Sequence, residues 1–217
     1  MKKFAVILSG CGVFDGSEIH EAVLSLYAIK KQGAAYQIFA PDMVQHHVIN
    51  HVNGEVMEEK RNVLVESARI ARGDIKPLSQ YAPSDFDALL IPGGFGAAKN
   101  LSTFAFDGAD CKVNDDVVAA VQATHKASKP IGALCIAPVL LSKILGRGVV
   151  TIGTDAGVAQ AIEKLGGVHN AASHGQVVTD KENKLYTTPC YMLDADIAQI
   201  GEGAENIVAA ILRDLQG

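Results

Sequence analysis

Cys135 stands where a buried apolar run passes into a helix, in Ile131-Gly132-Ala133-Leu134-Cys135-Ile136-Ala137-Pro138. Ala133 and Ala137 lie two positions to either side of it. A sharp strand-to-helix turn needs such small side chains, because its flanking backbones pack closely. Pro138 suits a first helical turn, where its missing N–H is no loss, and Gly146 ends the helix. A turn of this kind pushes the thiol out at the carboxyl edge of a sheet. It also sets the sulfur at a helix N-terminus, whose partial positive charge favours thiolate. The chemistry on offer is nucleophilic attack with a covalent intermediate. The bland alternative is a buried cysteine acting as a small hydrophobe, and the paired small residues and the helix start weigh against it.

A thiolate nucleophile needs a home for developing negative charge and a proton acceptor. Pro92-Gly93-Gly94-Phe95-Gly96 follows another apolar run, so its N–H groups belong to the same sheet edge. The N–H groups of Gly94 and Ile136 are the expected oxyanion donors. Two glutamates mark the entry to the first helix. Asp15-Gly16-Ser17-Glu18 has the form of an N-cap with its capping-box glutamate. Glu21 lies one turn further in, outside the apolar stripe of Ile19, Val23, Leu26 and Ile29. Its own flank carries Leu24 and Ala28, a side that a partner subunit could cover. Periodicity does not aim Glu21 at Cys135.

Three other clusters have weaker claims. Gly10-Cys11-Gly12-Val13-Phe14-Asp15-Gly16 lies between a strand and a helix, and Asp42 follows the second strand. The G-x-G-x-x-x-G spacing is one residue too long for a dinucleotide fingerprint, and glycine-rich first turns are common for steric reasons alone. His46, His47 and His51 have no carboxylate or cysteine to complete a metal set and read as a solvated patch, as does His174 in its polar loop.

These residues must be positioned by alternating strands and helices. The expected strands are Phe4–Leu8, Tyr36–Ala40, Ala88–Ile91, Pro130–Leu134 and Val149–Ile152. The expected helices cover Ser17–Gln32, Asn114–Ser128, Ile136–Leu145 and Asp155–Leu165. Such alternation calls for a mostly parallel sheet covered on both faces. Residues 41–84 form a polar insertion with one helical run, Arg61–Arg72, and residues 176–188 a hairpin turning at Lys181–Asn183. No linker or internal repeat divides the 217 residues, so one domain is expected.

Hydrophobic residues make up 48% and charged residues 20%, which excludes a disordered chain. The net charge of −5, with no basic run, gives no footprint for nucleic acid or a membrane surface. The apolar start, Phe4 to Leu8, is too short for an export signal. With no Cys-x-x-Cys pair, Cys11, Cys111, Cys135 and Cys190 read as free thiols of a reducing cytoplasm.

Taken together, Gly16-Ser17-Glu18-Ile19-His20-Glu21, Ile91-Pro92-Gly93-Gly94-Phe95-Gly96, Gly132-Ala133-Leu134-Cys135-Ile136-Ala137-Pro138 and Thr187-Thr188-Pro189 resemble the PfpI superfamily. These are relatives of class I glutamine amidotransferases, and the match runs nearly end to end. The stretch Asn62 to Gly73 and the insertion around it resemble one branch, the ElbB-type isoprenoid-biosynthesis proteins, described as glutathione-independent glyoxalases. The resemblance implies a flavodoxin-like three-layer sandwich with a nucleophile elbow, commonly dimeric. It also implies a carboxylate from the first helix touching the elbow cysteine. Counted back from Gly33, that carboxylate is Glu21. Relatives with amidotransferase or protease chemistry carry His directly after the cysteine, and others carry it after the next strand. This chain has Ile136 and Gly153-Thr154-Asp155 there, which leaves a Cys–Glu pair. The implied activity is conversion of glyoxal, and of methylglyoxal, to the 2-hydroxy acid. It needs no metal or cofactor, and its partners are a small aldehyde and a second subunit. Deglycation of proteins is a close variant. A redox-sensing or regulatory protein using the same cysteine is the alternative.

Overall fold

The computed structural model describes residues 1–216. Its elements in chain order begin with β1 (Lys3–Ile7), α1 (Ile19–Lys31), β2 (Ala35–Ala40), α2 (Val63–Ala71), β3 (Ile75–Pro77) and β4 (Ala88–Ile91). Then come α3 (Phe95–Lys99), α4 (Phe104–Asp107), α5 (Asp115–Lys126), β5 (Ile131–Leu134), α6 (Pro138–Leu145), β6 (Val149–Val150) and α7 (Ala156–Lys164). The chain closes with β7 (Val168–His169), β8 (Val178–Asp180), β9 (Leu185–Thr188) and α8 (Ile197–Asp214).

Seven strands form one sheet in the order β3-β2-β1-β4-β5-β9-β8, with every pairing parallel except β8 with β9. All four residues of β4, β5 and β9 are buried, as central parallel strands require when helices cover both faces. One face packs Leu89, Ile91 and Ile131 against Val117 and Val121 of α5 and Leu140 and Leu141 of α6. The other packs Phe4, Val6 and Leu90 against Ala22 and Ile29 of α1 and Ile207 and Ile211 of α8. The result is a three-layer α/β sandwich of flavodoxin type.

Four expectations change. The strand at Val149–Ile152 shrinks to β6 and leaves the main sheet to pair with β7. Fully buried β9 takes the seat beside β5 over four residues, while Val149 stays half-exposed. Within residues 41–84, α2 and β3 belong to the sandwich itself, and the longest stretch without helix or strand is 41–62, with single bridges Val44–Asn62 and Ile49–Val56. The unanticipated α8 carries Ile200, Ala204, Ile207, Val208 and Ile211 at helical spacing, behind an Asp196–Gln199 capping box. Finally, α8 covers the Leu24–Ala28 flank of α1, so no second subunit is needed there. That turns α1 about its axis relative to the expected stripe: Ile19, Val23 and Tyr27 are 42%, 45% and 55% exposed.

Gly132 sets how closely α8 approaches the sheet, since a Cβ there would lie 2.5 Å from Leu90 Cδ1 and 2.9 Å from Ile211 Cδ1. Gly132→Ala should destabilise the fold by about 1–3 kcal/mol through overpacking, read as a lower urea midpoint with an unchanged slope.

Candidate functional site

The chain leaves β1 toward one side of the sheet and β4 toward the other, so a crevice opens at their carboxyl ends. The loops after β1, β4, β5 and β9 meet there. Cys135 follows β5 with φ +58, a left-handed conformation for a non-glycine residue. It is pinned by Cys135 N–H to Thr188 C=O (3.0 Å) and Ala137 N–H to Leu134 C=O (3.0 Å). Helix α6 starts only at Pro138, two residues later than the sequence suggests. Cys135 is 7% exposed and lines a cavity of about 410 Å³, together with Gly94, Ile136, Glu18 and Tyr191.

Glu21 is fully buried. Its Oε2 accepts Gly93 N–H (2.9 Å) and its Oε1 accepts Tyr191 N–H (3.3 Å), and the Cys135 side chain packs against the same Gly93. The structure therefore brings Cys135 and Glu21 together across Gly93, where a Cβ would lie 2.7 Å from Glu21 Oε2 and 3.0 Å from Cys135 Sγ, and Gly94 and Ile136 line the same cavity as the sulfur. Sequence reasoning missed Gly93 and Tyr191. The double glycine Gly93-Gly94 was the available signal. A Cβ on Gly93 would collide with Cys135 Cβ and lie 2.7 Å from Glu21 Oε2, and one on Gly94 (φ +95) would strike the Glu18 backbone.

The cap of α1 differs from the expected one. Glu18 itself is the N-cap, its Oε2 accepting Glu21 N–H at 2.7 Å, while Glu18 N–H donates to Gly93 C=O at 3.0 Å. Asp15 instead accepts Ile49 N–H (2.7 Å) and so fastens the 41–62 segment to the first loop. That loop is no phosphate cradle. A Cβ on Gly16 would meet the Cys11 backbone, and one on Gly12 the His51 ring at 2.7 Å, so these glycines serve close packing. His51 accepts Phe14 N–H (3.2 Å), and His46 and His47 stack around Phe106. Among the described residues, no group of three or more His, Cys, Asp or Glu side chains is placed to hold a metal ion.

Burial, and next the charge of Glu18, push the Glu21 carboxyl up to about 8. Burial pushes the Cys135 thiol above its ordinary range as well, with the Glu21 charge adding to it and the Gly94 and Ile136 N–H groups opposing. This corrects the expectation that the helix dipole makes a ready thiolate, since α6 begins three residues beyond the sulfur and burial prevails. Cys190, 5% exposed after β9, and Cys11, close to Glu66 and Arg69 of α2, are also raised by burial. All four cysteines are free.

The profile of the DJ-1/PfpI family matches residues 11–190. "ES1 protein homolog, mitochondrial" of Rattus norvegicus is 47% identical over 97% of this chain and 83% of its own length. "Glutamine amidotransferase-like class 1 domain-containing protein 3, mitochondrial" of Homo sapiens is 49% identical over 97% and 82%. A solved isoprenoid biosynthesis protein with an amidotransferase-like domain from Ehrlichia chaffeensis superposes with a TM-score of 0.94 at 37% identity, over 99% of this chain and 100% of that one. Glyoxalase III from Candida albicans shares the fold, with a TM-score of 0.60 at 16% identity over 98% and 96%. The mitochondrial relatives overturn the cytoplasmic expectation. Free thiols separate reducing from oxidising compartments and do not say which reducing compartment holds the protein.

The buried carboxyl has a measurable cost. Glu21 keeps its proton to about pH 8 in the folded chain, against an ordinary value of 4.5. Between those values the native state binds more protons than the unfolded one, so its contribution to stability falls as pH rises and levels off above about 8. Glu21→Gln should gain stability over the native chain by a few kcal/mol at pH 8 and by little below pH 4.5, read from denaturant midpoints at the two pH values.

Proposed function

The chain belongs to the DJ-1/PfpI family, and we propose that it is a glutathione-independent glyoxalase of the ElbB type, converting glyoxal and methylglyoxal to the 2-hydroxy acid. The observation that carries this is the juxtaposition of Cys135, which lines the cavity with Gly94 and Ile136, and the buried Glu21 carboxyl across Gly93. The same arrangement, without a histidine in the cavity lining, does not suit amidotransferase or peptidase chemistry.

The active form is the pair after Glu21 has lost its proton, near pH 8; as sulfur attacks, the carboxylate takes the thiol proton, and the Gly94 and Ile136 N–H groups stabilise the charge that passes to sulfur. The thiolate attacks the aldehyde carbon, and Glu21 gives its proton to the new alkoxide, forming a hemithioacetal. Sulfur has then lost its negative charge, which frees the Gly94 and Ile136 N–H groups for the neighbouring oxygen. Glu21, now a carboxylate, takes the proton from that carbon. The enediolate is reprotonated at the adjacent carbon, and the hydroxyl proton passes between the two oxygens. Water hydrolyses the resulting thioester, releasing the 2-hydroxy acid and the thiol. One water is added, one carbon is oxidised as its neighbour is reduced, and this sequence calls on no cofactor.

A redox-sensing role suits this site less well, because sensor cysteines are exposed and of low pKa and Cys135 is neither. Protein deglycation uses the same carbonyl chemistry but has to bring an adduct to a cysteine that is 7% exposed. The relative named for isoprenoid biosynthesis supports the branch and leaves an effect on that pathway as part of the proposal. We also propose a homodimer through α1, now on the exposed row Ile19, Val23 and Tyr27.

Purified protein with glyoxal and no glutathione should yield glycolate, with kcat/KM rising as pH increases toward about 8, where Glu21 becomes the carboxylate that takes the thiol proton. Cys135→Ser should abolish turnover, and Glu21→Gln should lower it by about 10²–10⁴-fold; glycolate formed by Cys135→Ser sinks the assignment. Light scattering should report a dimer at micromolar concentration and a monomer for Val23→Glu.

A further inference from the structure

The walls of the cavity narrow the substrate class, given Cys135 as the nucleophile proposed above. Glyoxal has four heavy atoms. Even at the ~30 Å³ that a water takes in the liquid, it leaves roughly two-thirds of the 410 Å³ empty. The space beyond Cys135 is bounded by Val13, Phe95, Ala98, Phe104, Val158 and Met192. Unfilled apolar volume forfeits contacts that a larger substituent would make.

The charges point the same way. No Lys, Arg or His is among the lining residues, and the one charged side chain there is Glu18, itself 7% exposed. Lys99, on the helix that carries Phe95 and Ala98, lines a separate surface cleft; its Nζ donates to Phe14 C=O at 2.9 Å and sits 4.9 Å from the Phe95 ring centroid. A carboxylate or phosphate on the substrate would be desolvated beside Glu18 with no cation in the lining to pair with; His20, outside the lining, is engaged with Tyr191 OH at 2.8 Å and lies 3.9 Å from Glu18. The cavity is also braced from outside. Phe95 N–H bonds Val13 C=O (2.8 Å), His51 holds Phe14 N–H, and Asp15 ties the 41–62 segment to the same loop. Walls tied in this way keep the cavity's size when a small ligand enters.

We infer that the site takes uncharged 2-oxoaldehydes bearing an apolar aryl or branched alkyl group of about six to eight heavy atoms, for which glyoxal is a minimal stand-in. Phenylglyoxal represents the class. Adding one water gives mandelate: the aldehyde carbon is oxidised to carboxylate and the ketone carbon reduced to alcohol. Glu21 moves the proton between them, and water breaks the C–S bond that the attack formed.

The test compares phenylglyoxal, glyoxal and 4-carboxyphenylglyoxal as substrates. Phenylglyoxal should exceed both others at least tenfold in kcat/KM. Ala105→Trp, which narrows the cavity mouth, should lower the phenylglyoxal-to-glyoxal ratio at least fivefold. Glu18→Gln should raise the carboxylated compound relative to phenylglyoxal. A second measurement needs no turnover: mass-spectrometric labelling of Cys135 by N-phenyl-2-iodoacetamide, iodoacetamide and iodoacetate, each divided by its rate with a thiol free in solution. The expected order is aryl, then amide, then carboxylate. Equal kcat/KM for the three aldehydes together with equal labelling overturns the inference and leaves the glyoxalase standing. No turnover on any aldehyde with the labelling order intact removes the glyoxalase and supports the cavity's preference.

Discussion

A carboxyl group shut away from water must find all its partners inside the protein, and Glu21 finds them on two loops. Gly93 N–H comes from the end of β4 and Tyr191 N–H from the turn after β9, while the Cys135 side chain closes in beside Gly93 from the end of β5. Glu21 itself arrives from α1, the helix that follows β1. β1, β4, β5 and β9 are consecutive neighbours in the sheet. The site therefore depends on strand order as much as on residue identity, and a change of register in any of the four would strand a buried acid.

The glycines around it make the approach possible. Gly16, Gly93, Gly94 and Gly96 each stand where a single methyl group would strike backbone or a site atom. They let four loops touch, and the contact excludes water. Exclusion of water raises both the acid and the thiol, so the packing that assembles the pair also sets its ionisation.

The elbow, the glycine turn, the hairpin and most strands were legible because each is a local pattern: small residues around Cys135, Gly93-Gly94 after an apolar run, alternation broken by Lys181–Asn183. Glu21 was legible only through family resemblance, since helical periodicity cannot say which loop a side chain meets. Two failures share one cause. The stripe of α1 was assigned without α8, and once α8 occupies one flank the helix turns Ile19 and Val23 outward. Val149–Ile152 reads as a central strand in isolation and loses that seat to β9, a competition between segments far apart in sequence. Asp15 fits a cap by spacing, but the Ile49 amide from the 41–62 segment claims it. The thiol's ionisation was misjudged because a dipole can be read from sequence and burial cannot.

Cys135 itself holds a backbone conformation, φ +58, that glycine adopts freely and cysteine does not. Holding a side chain there costs on the order of 1–3 kcal/mol, so the fold alone favours glycine at this position. Stability and chemistry pull in opposite directions at one residue. A descendant of this chain released from the proposed reaction would drift toward glycine at the elbow and come out sturdier for having lost its sulfur.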